Sequence, residues 1–441
     1  MVIYRRKYSS KKKKRSSKRK SSKKQRKKSS KNHQYKKKGG SVLGKGNFGC
    51  VISPNISCPN FSIVDSDKYV SKLVKPDLFI KDDFDIINAL NIKNIDGYDK
   101  HLAIPIHKCH STDININNVS QNSILDVKNC GIYDNNVFNI IQMKGGITFS
   151  KFRTDNPDLL LQDLLPYYCA MFEAIIFLHN NGICHRDLKD DNILVDKSSL
   201  KLIDFGYAAP INHKLYSIDG NRGLYNELYN VEGNKGLYNE MFIIFDKDFF
   251  NLGYLYWPIE INIFSNWSIL EDKYELTEIS KSIADKYFDM YKKTWLIDTV
   301  IIDYRSNNYI HIENMFKNRY YENIDFINDN IYMINNESDE KLKREYIFNY
   351  CYNVNANIDI FQLGIILYMD LLKIKKKAII DNKLIDELII YIIEGILTKV
   401  HINKPNINNI YIEFKKICKK YNITDSILTS INDIYDSMSD I

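Results

Sequence analysis

Near residue 158 the spacing of apolar residues along this chain changes period, and that change limits the folds open to it. From about residue 41 to 146 the apolar residues come in short runs of β character, as at 68–74 and 137–143. One stretch, 82–90, interrupts them with Ile86, Ile87 and Leu90 on a common helical face. Residues 158–180 then place Leu161, Leu164, Leu165, Tyr168, Met171, Ile175 and Leu178 at i, i+3, i+4 and i+7. That spacing predicts a helix with one buried stripe. Further apolar helices are expected at 360–372 and 384–398. The pattern predicts an α+β chain, a small β-rich lobe followed by a larger α-rich one.

Charge divides the chain differently. Residues 1–38 hold 20 of its 62 Lys and Arg and no Asp or Glu, with Ser-Ser pairs between the basic runs. The rest has 42 basic residues against 54 acidic, so the net +8 hides a folded body of net −12. A tail with so little to bury cannot offset the entropy of ordering and is expected to be disordered up to Gly39-Gly40. It is a polycation suited to non-specific binding of nucleic acid or other polyanions. Beyond Tyr4, Tyr8 and Tyr35 it has no aromatic residues on which bases could stack.

Eight scattered cysteines with no C-x-x-C pair predict reduced thiols and an intracellular protein. No apolar segment follows the charged N-terminus and no run approaches ~18 apolar residues, so neither signal peptide nor membrane span is expected. His107-Lys-Cys109-His110 offers three metal ligands, but no second cluster with zinc spacing accompanies it. A polar loop after a strand is the expectation there.

Two segments carry chemistry. In Leu43-Gly44-Lys45-Gly46-Asn47-Phe48-Gly49-Cys50-Val51, three glycines let the backbone approach a polyphosphate and offer N–H donors to it. A tight hairpin turn would use the same glycines. The motif sits in strand-like sequence and no helix opens after it, which disfavours a dinucleotide-binding unit. The second segment is His185-Arg-Asp187-Leu-Lys189-Asp-Asp-Asn192-Ile-Leu-Val195, followed by Asp204-Phe-Gly206. Phosphoryl transfer needs a base for the attacking hydroxyl, oxygen ligands for magnesium and a cation on the transferred phosphate. Asp187, Asn192 with Asp204, and Lys189 could fill those roles in turn.

These residues resemble the signature set of the eukaryotic-type protein kinases of serine/threonine type, over roughly residues 41–441. The resemblance implies the two-lobed protein-kinase fold, with a lobe at 39–146, a lobe at 147–441 and ATP between them. It implies transfer of the ATP γ-phosphoryl group to Ser or Thr hydroxyls of protein substrates. Asp187 would be the base, Asn192 and Asp204 would hold magnesium, and residues 43–51 would cover the ATP phosphates. Tyr69-Val-Ser-Lys72-Leu-Val resembles the strand whose lysine holds the α- and β-phosphates, with Lys68 and Lys75 as rivals to Lys72. Its acidic partner would be Asp83, or else Asp85, where the family has Glu. The hinge would run through 141–146, with Gln142 and Met143 beside the adenine edge. Asp359-Ile-Phe-Gln-Leu-Gly364 resembles the helix that anchors the catalytic loop, and Lys404-Pro405 falls where the family has Arg-Pro.

Other stretches depart from the pattern. Trp257-Pro258-Ile259-Glu260 stands where the family has Ala-Pro-Glu, and Gly253 where serine/threonine kinases keep a threonine. The activation segment, 204–260, is long and contains a duplication, Gly220-Asn-Arg-Gly-Leu-Tyr-Asn-Glu227 recurring as Gly233-Asn-Lys-Gly-Leu-Tyr-Asn-Glu240. An insertion follows at about 261–345. Arg186 would pair with a phosphorylated residue of the segment, for which Ser217, Tyr225 and Tyr238 are candidates. Residues 46–54 with Cys58, and the Trp-Pro-Ile-Glu element, resemble kinases of large DNA viruses. A pseudokinase, which keeps the fold and binds ATP without efficient turnover, is the alternative.

Overall fold

The computed structural model describes residues 41–46, 49–53, 55–56, 58, 61, 68–74, 83–110, 137–196, 199–211, 329, 340–377, 383–397 and 406–429. The chain divides into Met1–Lys38, which lies wholly outside the described residues, and Gly39–Ile441, which holds all of them. Also outside are Asn47, Phe48, Lys75, the duplication with its candidate phosphosites, Gly253, 257–260, Lys404-Pro405 and most of 261–345.

Antiparallel strands β1 (Ser41–Gly46), β2 (Gly49–Ser53), β3 (Tyr69–Val74), β4 (Pro105–His110) and β5 (Phe138–Met143) form one sheet in the order β1-β2-β3-β5-β4. Alternation in β2 sends Cys50 and Ile52 inward, where they meet Leu73 and Val137 in a small core of their own. The hairpin of β1 and β2 closes at Gly46 and Gly49. A Cβ on Gly49 would lie 1.7 Å from the Leu73 carbonyl oxygen, so only glycine lets β2 run this close to β3.

Helix α1 (Asp83–Ala89) buries Ile86 and Ile87, the face expected from their spacing, in the larger core. After the short helix α2 (Tyr98–His101), the chain runs beside Leu202 before entering β4. There Ala103 N–H donates to the Leu202 carbonyl at 3.0 Å.

The second lobe is helical. After α3 (Phe149–Asp155), helix α4 (Leu161–Asn180) buries all seven residues of the expected stripe. Burying each large apolar side chain contributes about 1.5–3 kcal/mol, enough to hold the helix despite Pro166 in its second turn. By length and composition α4 could cross a bilayer, but most of it is buried in this core. It packs against α5 (Glu340–Lys377), α7 (Ile407–Lys420) and α8 (Asp425–Thr429). Helix α5 is far longer than the expected 360–372, and its first residues belong to the stretch read as insertion. Helix α6 (Lys383–Ile392) continues into a π-helical turn at Ile393–Leu397.

Small strands frame residues 185–192. β8 (Ile193–Asp196) and β9 (Ser199–Leu202) form a hairpin edged by β6 (Ile147–Thr148), while β7 (Ile183–Cys184) pairs with β10 (Ala209–Pro210).

Two expectations are corrected. Residues 107–110 are not a loop but lie within β4, paired with β5. His107 stacks on Phe61 at 4.1 Å between ring centroids, and His110 meets the edge of Phe138. Nor are all the thiols reduced, because Cys109 forms a disulfide with Cys58. That bond joins the β2–β3 connection to β4, a pairing across 51 residues that spacing alone could not reveal. Among the described residues Cys169, Cys184 and Cys418 are free and buried, and burial pushes each thiol up to about 12.

Candidate active site

The segment 185–192 crosses the top of the helical lobe as an irregular loop, so its backbone polar groups need partners from elsewhere. Helix α5 supplies them. Asp359, 0% exposed, accepts from the backbone N–H of His185 at 2.8 Å and of Arg186 at 2.6 Å, and faces His179 Nε2 at 3.0 Å. One turn on, Gln362 accepts from Leu188 N–H at 2.8 Å and donates to the Arg186 carbonyl at 2.9 Å. Arg186 itself has φ 68°, a left-handed conformation that its neighbours must hold.

His185 is set as the Nε2–H tautomer. Its Nε2 donates to the Ile203 carbonyl at 2.9 Å, which leaves Nδ1 to accept from Asp187 N–H at 3.3 Å. The ring packs on Phe205 with centroids 4.8 Å apart, so His185 and the Asp204-Phe-Gly206 turn form one unit.

Asp187 Oδ2 receives Lys189 Nζ at 2.8 Å and Asn192 Nδ2 at 2.9 Å, and the same amide nitrogen reaches the Asp187 carbonyl at 2.8 Å. With Nδ2 committed to Asp187, Oδ1 is the atom of Asn192 able to ligate a hard cation. Ile203 N–H donates to the Asn192 carbonyl at 3.0 Å, which brings Asp204 beside Asn192. An amide oxygen and a carboxylate are the donor types that magnesium takes while keeping several waters.

From the sheet side comes Lys72. Its Nζ lies 2.7 Å from Asp83 Oδ2 and 2.9 Å from Asp204 Oδ1. Asp85 points to another partner, Lys108, at 2.8 Å. Of the two acids left open by the sequence, the structure therefore brings Asp83 to Lys72. Lys68 precedes β3, and its carbonyl accepts from Lys144 N–H.

Burial works to lower the Lys72 pKa, but the two carboxylates outweigh it and hold the ammonium well above its ordinary range. Asp83 is pushed up to about 7, by burial first and by the Asp204 charge, against the pull of Lys72. Asp204 is also hindered by burial, yet the Lys72 charge and hydrogen bonds draw it down to about 2. Two carboxylates thus share one ammonium, and of the two it is the more buried acid, Asp83, whose hold on a proton is raised. Asp204 keeps 38% of its side chain exposed, so solvent screens part of that pull.

In the glycine segment, Leu43 and Gly44 are exposed at the sheet edge, Val51 lies opposite Lys72 on β3, and Cys50 is turned into the small core. Lys45 and Gly46 are placed through the backbone of β1. At the expected hinge, Gln142 is an interior sheet residue whose Nε2 donates to the Ala103 carbonyl at 2.5 Å. Met143 ends β5 and its Sδ accepts from Lys201 Nζ at 3.5 Å. The turn that follows needs glycine: Gly146 has φ 106°, and a Cβ there would lie 2.0 Å from the Val195 carbonyl oxygen.

The sequence reading missed Gln362 and His179. The signal for Gln362 was its i, i+3 relation to Asp359, which puts both on one face of a helix.

Fold and site define a class, and comparison with known proteins agrees with it. Residues 113–223 match the protein kinase domain family. The architecture is the two-lobed α+β protein-kinase fold. Among similar proteins, the serine/threonine-protein kinase chk1 of Schizosaccharomyces pombe is 40% identical over 74 residues, 16% of this chain and 14% of that one. The CBL-interacting serine/threonine-protein kinase 15 of Arabidopsis thaliana is 41% identical over 69 residues, 15% of this chain and 16% of that one. The serine/threonine-protein kinase pim-2 of Danio rerio is 46% identical over 55 residues, 12% of this chain and 18% of that one. The chain thus spans less than a fifth of the length of each of these relatives. The matched family stretch includes Asp187, Asn192 and Asp204 but not the glycine segment or Lys72, whose placement rests on geometry.

Proposed function

We propose that this protein is a serine/threonine-protein kinase that uses ATP and magnesium. The observation that carries the reading is the convergence of Lys72, Asp83 and Asp204 from three segments, with Lys72 and Asp204 132 residues apart in sequence. The ammonium lies between two carboxylates, and Lys72 and Asp204 keep 22% and 38% of their side chains exposed. That arrangement suits a lysine that exchanges a carboxylate for phosphate oxygens.

In this reading the acceptor hydroxyl oxygen bonds to the γ-phosphorus as the bond to the ADP oxygen breaks. The hydroxyl proton passes to Asp187, whose carboxylate Lys189 and Asn192 orient. Lys189 stands beside the transferred group as a counter-charge, and its place two residues after the base favours Ser or Thr over Tyr acceptors. Asn192 and Asp204 would hold magnesium, which when bound supplies neutralisation of phosphate charge. The backbone of 43–51 would lie over the phosphates, and that of 142–143 beside the adenine. Protein substrates, an intracellular location and non-specific polyanion binding by the basic tail belong to the same reading. So does kinship with kinases of large DNA viruses, which rests on residues 46–54 with Cys58 and on Trp257-Pro258-Ile259-Glu260.

The test is transfer of radiolabelled γ-phosphate to a mixed basic-protein substrate, comparing wild type with Asp187→Asn. We expect phosphoserine and phosphothreonine from wild type and a loss of about 10²–10⁴-fold in the variant. ATP bound by both proteins with no transfer by either would establish the pseudokinase instead.

A further inference from the structure

We propose that Gln362 is a positioning residue for the catalytic base Asp187, an inference that rests on the kinase reading above. Its side-chain amide holds the two peptide groups that flank the Asp187 Cα. The Arg186 carbonyl belongs to the peptide before Asp187 and accepts from Nε2 at 2.9 Å. The Leu188 N–H belongs to the peptide after it and donates to Oε1 at 2.8 Å. A group that fixes both peptides fixes the backbone angles of the residue between them, and with them the direction of its side chain.

The surroundings make that grip matter. Arg186 sits at φ 68°, a conformation a side chain of its size adopts only when its neighbours over-determine it. Its N–H is held by Asp359 and its carbonyl by Gln362, two residues one helical turn apart. Gln362 is 0% exposed, so no water replaces either bond, and an apolar residue there would leave a buried carbonyl and N–H without partners. Neither Asn nor Ser has the reach of this side chain, and reversing the amide would set donor against donor. The carboxylate of Asp359 can accept only; Gln362 both donates and accepts, which is what two peptides of opposite polarity need.

A purely structural role would also lower stability on substitution, so the test must read the base itself. Gln362→Met keeps the volume and loses both hydrogen bonds. We expect kcat to fall about 10²-fold with the KM for ATP nearly unchanged, because a misplaced base slows the chemical step without touching nucleotide contacts. Gln362→Glu is the discriminating variant. Protonated, its carboxyl can still donate to Arg186 and accept from Leu188; ionised, it opposes that carbonyl and the nearby Asp359 carboxylate, with His185, Arg186 and Asp187 the other titratable groups at hand.

Its kcat should therefore approach wild type at low pH and fall through an added transition as pH rises, one absent from wild type and from Gln362→Met. Hydrogen exchange of the peptide spanning 185–189 should quicken in Gln362→Met whether or not the enzyme turns over. A Gln362→Glu pH profile superimposable on wild type, or a Gln362→Met defect confined to KM, overturns the proposal. A wild type inactive in transfer with the exchange difference present would remove the kinase reading while leaving the bracing by Gln362 in place.

Discussion

On the helical side of the site Asp187 is held through its backbone, by Asp359 and Gln362 on one helix of the same lobe. On the sheet side Lys72 is held through its charge, by Asp83 on α1 and Asp204 on the turn after β9. The two anchors of the helical side are 0% exposed, whereas Lys72 and Asp204 keep 22% and 38% of their side chains exposed. Buried hydrogen bonds to backbone depend on short distances and little on salt. An ion triad in which Lys72 and Asp204 touch solvent while Asp83 is buried depends on protonation, screening and the approach of separate segments. In the proposed kinase reading, the lobe that would take the proton is built to be fixed, and the lobe that would meet the phosphates is built to exchange partners.

Breaking the helical anchor should have the largest effect on stability. Asp359→Ala strips the acceptor from two buried backbone donors, at roughly 1–3 kcal/mol each, besides losing His179. We expect a loss of about 2–6 kcal/mol, read as a lowered urea midpoint at unchanged slope. A loss below 1 kcal/mol would mean the two sides are not held differently.

Lys72→Met should divide the other way. Under the proposed function phosphoryl transfer falls by at least about 10²-fold, since the lysine would be a preorganised electrostatic contact to phosphate. Below neutrality Asp83 can carry a proton in place of its ion pair, so the stability lost there is that of the Lys72–Asp204 contact alone. Above pH 7 the same variant should be measurably weaker than wild type.

The smallest effect is the pH dependence of the ligand-free protein. Asp83 is raised from its ordinary 3.8 to about 7, so between those values the folded state binds more protons than the unfolded one. Its contribution is full below about pH 4 and is lost as pH rises through 7. Asp204 is shifted the opposite way, to about 2, and its contribution is lost only as pH falls through that value. Between pH 5 and 8 wild type should therefore lose a few degrees of Tm that Asp83→Asn does not. Parallel curves for the two proteins would place the shared proton elsewhere.

Much of this site was legible because it is contiguous. Asp187, Lys189, Asn192 and Asp204 fall within twenty residues, where spacing is close to being geometry, and the stripe of α4 is read by helical period alone. The choice between Asp83 and Asp85 was not legible. Both lie in the first turn of a seven-residue helix, and only the way α1 packs by Ile86 and Ile87 turns one to Lys72 and the other to Lys108. Gln142 fell in the expected strand, yet its side chain went to the Ala103 carbonyl, a partner 39 residues back.

The sequence by itself determined the two lobes, through the change from strand runs to helical period, and the inventory of groups at 185–206 that phosphoryl transfer requires. The tertiary structure decided which carboxylate meets Lys72, which cysteines join, and that Gln362 grips the loop around Asp187. The reason is range. Periodicity and local motifs act over a few residues, whereas a hydrogen bond across 174 residues, as from Leu188 to Gln362, exists only once packing has brought its two ends together.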